Sequence, residues 1–239
     1  MTGSPPQVAK NYLDGELKMA PSLSPSYLKR VAANILHLSQ NQVDVVEALK
    51  EWEYRGDKSD VEDATESCQL CDHYPIRYQF EIANRFTKHS LDIGSECITR
   101  FDVAVIDEEG VQQRGAVAAK LVAKDRRTLE EESRRRTVRR ALVQLAKMDQ
   151  RIDEKMLESI AKAADDRGLS PKQAFLVVWR LEENGIELPR SYLKVMLKKA
   201  AEQNALLAMV DSKFKKVWPC LTAAQQRWYR ENKPAFNTR

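Results

Sequence analysis

The feature that most constrains this chain is a trio of cysteines arranged around a hairpin. Cys68-Gln-Leu-Cys71 is a C-x2-C knuckle, the spacing that lets two thiolates bind one tetrahedral metal ion. Cys97 follows later, just past Gly94-Ser95. Between them Tyr78, Phe80 and Ile82 alternate with Gln79 and Glu81, the pattern of a half-buried strand. Asn84–Lys88 reads as a turn and Leu91-Asp92-Ile93 as a returning strand, so 76–93 is expected to be a β-hairpin. A knuckle, a hairpin and a third ligand at the start of the next element form the layout of a small treble-clef or zinc-ribbon-like module. A module of that size has little core of its own, so metal binding and folding are coupled.

A closed structural site needs a fourth ligand. His73, two residues past the knuckle, is the first candidate; His89 in the hairpin turn is second and Cys220 third. The predicted set is therefore Cys68, Cys71, Cys97 and His73 around Zn2+. Three cysteines and a histidine leave no open position for water, which favours a structural over a catalytic ion. The deaminase H-x-E with P-C-x-x-C and the H-E-x-x-H pattern are both missing. A redox C-x-x-C belongs at a helix start in a βαβ context, and none is visible. The opening segment MTGSPPQVAKNYLDGELK is polar, without the apolar stretch of a secretory signal. The expectation is a cytoplasmic chain whose thiols stay reduced.

The 239 residues suffice for one large or two small domains. No run approaches the roughly 18 apolar residues of a membrane helix, so no membrane partner is expected. Eight glycines, with no G-x-G-x-x-G and no P-loop, argue against a nucleotide-binding α/β enzyme. The expected fold is α+β: mostly α-helical, with the small β-hairpin module. Residues 1–22 read as a flexible polar arm, 23–110 as a helical pair plus the zinc module, and 111–239 as a basic α-helical domain. Leu28, Val31, Ile35 and Leu38 recur at helical spacing after Ser24-Pro25. Ser39 is placed as the cap of a second helix carrying Val43, Val46, Leu49 and Trp52, ended by Gly56. Residues 57–66 read as an acidic loop, and Val103–Ile106 as a short strand. Helices are expected over Ala116–Val122, Leu129–Met148 and Ile152–Asp166, after Ser170-Pro171, after Pro189-Arg190-Ser191, and after Thr222.

The net charge of +4 hides a division. Residues 1–110 carry 11 basic and 19 acidic side chains, a net −8; residues 111–239 carry 28 and 16, a net +12. Such asymmetry points to a surface facing nucleic acid or a partner. Its centre is a basic stretch: Lys124, Arg126, Arg127, Arg134, Arg135, Arg136, Arg139 and Arg140, beside an apolar seam of Val138, Leu142 and Leu145. Arginines on one helix face can track phosphates. The competing account is local pairing, because Glu130, Glu131 and Glu132 stand four positions before Arg134, Arg135 and Arg136. Arg139 and Arg140 have no carboxylate at that spacing, which favours an anionic partner. A second basic set runs over Lys194, Lys198, Lys199, Lys213, Lys215 and Lys216. The late aromatics Trp218, Trp228, Tyr229 and Phe236 read as core rather than as a stacking surface.

The segment from Cys68 to Phe101 resembles a zinc-finger segment of bacteriophage, plasmid and other mobile-element proteins. The shared pattern is CxxC-x-H, a hairpin with Asn and Thr near its turn, then G-S-x-C-I and an aromatic. In size and layout the whole chain is also similar to the zinc-finger large subunit of type IV CRISPR effector complexes. That resemblance implies a subunit that contacts guide RNA and target-flanking DNA, with guide pairing supplying sequence specificity. Expected partners are RNA and/or DNA and the other protein subunits of a complex. The alternatives are a phage or plasmid replication or recombination accessory protein, or a zinc-module adaptor between proteins. No Ser/His/Asp elbow is visible, and the acidic clusters read as a helix end and a turn. No enzymatic activity is expected.

Overall fold

The computed structural model describes residues 24–149 and 151–233. The proposed arm over 1–22 and Phe236 lie outside them. The fold is α+β, and the chain divides into two compact units, residues 1–130 and 131–239. The division falls further along the chain than the change of charge near residue 110.

The first unit is a small sheet backed by helices. Helix α1 (Pro25–Ile35) starts where the Ser24 side chain accepts from the Tyr27 N–H, with proline in the first turn. Helix α2 (Val45–Leu49) is capped by Asp44, whose carboxylate accepts from Val46 and Glu47. Then come β1 (Trp52–Asp60), β2 (Tyr78–Asn84), β3 (Ser90–Ile93), α3 (Ser95–Arg100), β4 (Ala104–Ile106), β5 (Gln112–Gln113) and the long α4 (Gly115–Met148). The strand order is β3-β2-β1-β4-β5. The β1–β4 pair is parallel and the others are antiparallel. Alternate residues Phe80, Ile82, Leu91 and Ile93 are buried with Trp52, Tyr54, Val31, Ile35 and, from early α4, Ala118 and Val122. Each large ring contributes about 2–3 kcal/mol by leaving water.

The predicted hairpin is present, but three local expectations are corrected. Trp52 does not end a helix; it opens β1, and Gly56 is part of that strand. The register of β1 against β2 shifts between Tyr54 and Lys58, and Gly56 sits there at φ +103°, a conformation that costs glycine little. The first part of the expected acidic loop, through Asp60, is therefore strand. Ser39 caps no second helix. Its hydroxyl donates to the Ile35 carbonyl at 2.8 Å and accepts from Trp52 Nε1 at 2.9 Å.

The second unit is helical: the later turns of α4, then α5 (Glu154–Asp166), α6 (Pro171–Glu183), α7 (Ala200–Leu207), α8 (Asp211–Val217) and α9 (Ala223–Asn232). Val138, Leu142 and Leu145 face this core, together with Ile160, Val177, Val178, Leu181 and Tyr229. Helices α6 and α9 both open with a reciprocal capping box, Ser170 with Gln173 and Thr222 with Gln225. The two helices expected over 116–122 and 129–148 are one helix, α4. The helix expected after Pro189 is only a 3-10 turn, Arg190–Tyr192. Gly168 at φ +103° ends the connection after α5; a Cβ there would meet the Lys194 carbonyl oxygen at 2.9 Å. No helix among the described residues is long and apolar enough to cross a membrane.

Candidate metal centre

The knuckle is a tight turn held from three sides. The Cys68 carbonyl accepts from Asp72 N at 2.8 Å, and Asp72 takes a left-handed φ of 57°. From α1, the Asn34 amide donates to Asp72 Oδ1 (2.9 Å) and Leu70 O (3.3 Å), and Arg30 Nε donates to Cys71 O (3.3 Å). From β3, Asp92 and Gln69 exchange two bonds: Gln69 N donates to Asp92 O (2.9 Å) and Asp92 N to Gln69 Oε1 (2.7 Å). The third cysteine arrives on the first turn of α3, directly after the strand that Gln69 grips.

These supports bring the three thiols together in a buried group, with Cys68, Cys71 and Cys97 at 1%, 3% and 5% exposure. Cys97 Sγ lies 3.4 Å from Cys71 Sγ and 3.6 Å from Cys68 Sγ. A disulfide needs about 2.05 Å, so these are free thiols. Tetrahedral bonds of about 2.3 Å to one ion require sulfur–sulfur edges of about 3.8 Å, close to the spacing seen. Backbone N–H groups point at the sulfurs: Gly94 N donates to Cys68 Sγ at 3.4 Å, Leu70 donates to Cys68 and His73 to Cys71. Such donors stabilise thiolate. The three thiols compete for protons: hydrogen bonding from Cys68 draws Cys71 down, and hydrogen bonding with Cys68 pushes Cys97 up. A cation in place of those protons relieves the competition. Among the described residues, these cysteines form the one group of three or more metal-ligating residues whose ligand atoms all lie within 4.8 Å of one another. The group can hold a metal ion.

The three proposed fourth ligands stand elsewhere. His73 is nearest: its carbonyl accepts from Cys68 N at 2.9 Å, but its exposed imidazole is not within the group. His73 lines an adjoining cavity instead. His89 Nδ1 is 3.2 Å from the Leu38 carbonyl oxygen. Cys220 is packed in the core of the second unit, where burial pushes its thiol up to about 11.

A residue that sequence reasoning missed stands beside the sulfurs. The Tyr27 hydroxyl is 3.7 Å from Cys97 Sγ and accepts from Arg100 Nη1 at 3.2 Å. Its ring stacks on Phe101 at 5.8 Å, giving the aromatic after G-S-x-C-I a physical purpose. Burial, then hydrogen bonding to Cys71, raises the Tyr27 hydroxyl above the ordinary tyrosine range and keeps it protonated. Nothing in the spacing of Tyr27 from the knuckle signals this contact. Beside the sulfurs opens a cavity of about 390 Å³, walled also by Tyr27, His73, Arg77, Tyr78, Arg100 and Arg126.

The basic stretch is largely paired. Arg134 is buried, bonds Glu131 with two nitrogens, and donates to the Tyr192 and Ala164 carbonyls. It is a structural arginine and is withdrawn as a phosphate contact. Arg135 pairs with Glu131 at 3.0 Å, Arg126 with Glu130 at 3.0 Å and Lys124 with Glu108 at 3.0 Å. Arg139 reaches Asp165 on α5 at 2.5 Å. The inference that Arg139 and Arg140 want an external anion fails for Arg139, because its carboxylate comes from another helix; Arg136 and Arg140 also have partners. Arg127 alone of the eight is exposed without a partner among the described residues. Comparisons with known protein families, with curated proteins and with solved structures returned no match to this chain.

Proposed function

We propose that this chain is a zinc-stabilised nucleic-acid-binding protein that works as a subunit of a nucleoprotein complex and catalyses no reaction itself. Zinc suits the donor set, since buried thiolates at tetrahedral spacing select a soft or borderline ion over calcium or magnesium. His73, already on the cavity wall, completes the coordination by swinging its ring toward the sulfurs. The observation that carries the nucleic-acid reading is the cavity itself: the cysteine group shares it with Arg77, Arg100 and Arg126 and with two phenol rings. An arginine has five N–H donors, so Arg100 and Arg126 keep donors for a phosphate beyond Glu96 and Glu130, their present carboxylate partners. The +12 balance of residues 111–239 adds long-range attraction. The type IV CRISPR resemblance gives this reading its most specific form, a subunit touching guide RNA and flanking DNA in the cytoplasm.

The test combines metal content with salt-dependent binding. Purified protein is expected to hold one zinc per chain, lost in Cys68→Ser. Binding of labelled RNA and DNA, read by fluorescence anisotropy, should weaken steeply with salt. Arg100→Gln with Arg126→Gln should lower the log–log slope by about 2. A zinc-free native protein, or a slope unmoved by those changes, overturns the reading.

A further inference from the structure

A second surface, far from the cysteines in sequence, carries rings and cations together. On α6, Phe175 and Trp179 are one helical turn apart, and their rings stack in parallel. Their centroids are 6.0 Å apart and their planes differ by 8°. The row has a cation at each end. The Arg180 guanidinium lies 4.4 Å from the Trp179 centroid, and Lys213 Nζ from α8 lies 5.2 Å from that of Phe175. Neighbouring rings continue the theme, with Phe214 5.3 Å from Trp218 and Arg230 5.3 Å over Trp218.

Core packing accounts for most of these rings but not for Trp179. Phe175, Phe214 and Trp218 pack against the buried cluster of the second unit, whereas Trp179 does not belong to it. A half-buried tryptophan outside the core is an expensive side chain to leave partly in water. The charge around it is one-sided. Helices α6, α8 and α9 with Lys233 carry eight basic and four acidic residues. Glu182 and Glu183 already pair with Lys216, Arg190, Arg180 and Arg151. Lys213 is exposed and has no carboxylate partner among the described residues.

We propose that the Arg180–Trp179–Phe175–Lys213 row is a stacking platform for the bases of single-stranded nucleic acid, with Lys213 and Arg230 meeting its phosphates. Flat rings interleaved with cations are what an unpaired strand offers partners to: every base has a π-face, and its backbone carries a charge per nucleotide. A duplex hides its base faces and fits such a row poorly. The proposal extends the nucleic-acid reading above to a site that does not involve the metal centre.

The experiment uses the full zinc-loaded chain with oligouridine, oligothymidine and a duplex of equal length. Trp179→Ala should weaken both single strands by about tenfold and leave the salt slope alone, because stacking releases no counterions. Trp179→Phe should keep most of the affinity, and Lys213→Gln should lower the slope by about 1. Photo-crosslinking of 5-iodouridine strands to the unmutated chain should label Trp179 or Phe175, which needs no variant to fold. Binding that survives in a folded Trp179→Ala protein, with crosslinks elsewhere, overturns the platform while leaving the Arg100/Arg126 reading intact. No binding to any nucleic acid overturns both. A change in self-association without a change in strand affinity would make the face a protein interface and overturn the platform.

Discussion

Asn84 is the residue on which the hairpin between the cysteines turns, and its removal gives a prediction with a calculable size. The side chain is 1% exposed. Its amide donates to Glu51 Oε2 at 2.8 Å, and its carbonyl accepts from Phe86 N at 2.8 Å and Thr87 N at 3.0 Å. Glu51 also accepts from Gln40 N and Asn41 N, each at 2.7 Å. Burial works to raise the Glu51 carboxyl, but these donors outweigh it and the net shift is downward, so Glu51 is charged at neutral pH. Asn84→Ala removes one charge-assisted bond, about 1.5–3 kcal/mol, and leaves two part-buried amides to find water, about 0.5–1 kcal/mol each. The expected loss is about 3 kcal/mol. The assay is urea titration followed by hydrogen exchange of the 78–93 segment, which isolates this unit's opening. Asn84→Asp sharpens the test, because it sets a second carboxylate against Glu51. The pair shares a proton, which raises a folded-state pKa. A raised acid loses stability as pH rises, so this variant should gain on the wild type as pH falls from 7 toward 4. A loss below about 1 kcal/mol in Asn84→Ala, or an Asn84→Asp deficit that is flat with pH, would refute the reasoning.

Other outcomes follow from the same structure. If the cysteine group holds the proposed zinc, Cys71→Ser or a strong chelator should release it and raise exchange throughout 66–101 while sparing the α6 and α9 amides, as seen by mass spectrometry. Hydrogen bonding from Arg134 leads the lowering of the Glu131 carboxyl below its ordinary value of 4.5. Glu131→Gln should therefore destabilise the second unit at pH 7, and the gap to wild type should close only as pH drops below 4.5 through the depressed value. Gly168→Ala should cost about 2 kcal/mol in thermal unfolding, from strain at positive φ and a clash with a backbone carbonyl; an unchanged melting temperature would refute it.

What could be read in advance was set by local chemistry. The hairpin showed in the alternation of Tyr78, Phe80 and Ile82, and α6 and α9 showed in their capping serine and threonine. Strand β1 was hidden because Val46, Leu49 and Trp52 keep helical spacing right up to its start. Its bulge at Gly56 also looks, in sequence, like a helix stop. The continuity of α4 was hidden for another reason: Ala118 and Val122 serve one core and Val138 and Leu142 another, so no single apolar stripe runs its length. The thiol trio was legible because knuckle spacing is short-range geometry. Tyr27 was not, because α1 meets Cys97 only in three dimensions, and neither was the Asp165 partner of Arg139.

The parallel pairing of β1 with β4 bears on how the chain reaches its fold. Glu53 and Tyr54 meet Ala104 and Val105, so the strand partners are separated by the knuckle, the hairpin and α3. Bringing them together closes a loop of about 50 residues. An ion joining Cys68 and Cys71 to Cys97 would shorten the path to about 22 residues, a saving of roughly 0.7 kcal/mol in closure entropy, or about threefold in rate. The cysteines would then act as a shortcut along the chain, drawing distant strands into range before the sheet has any contacts of its own to hold them.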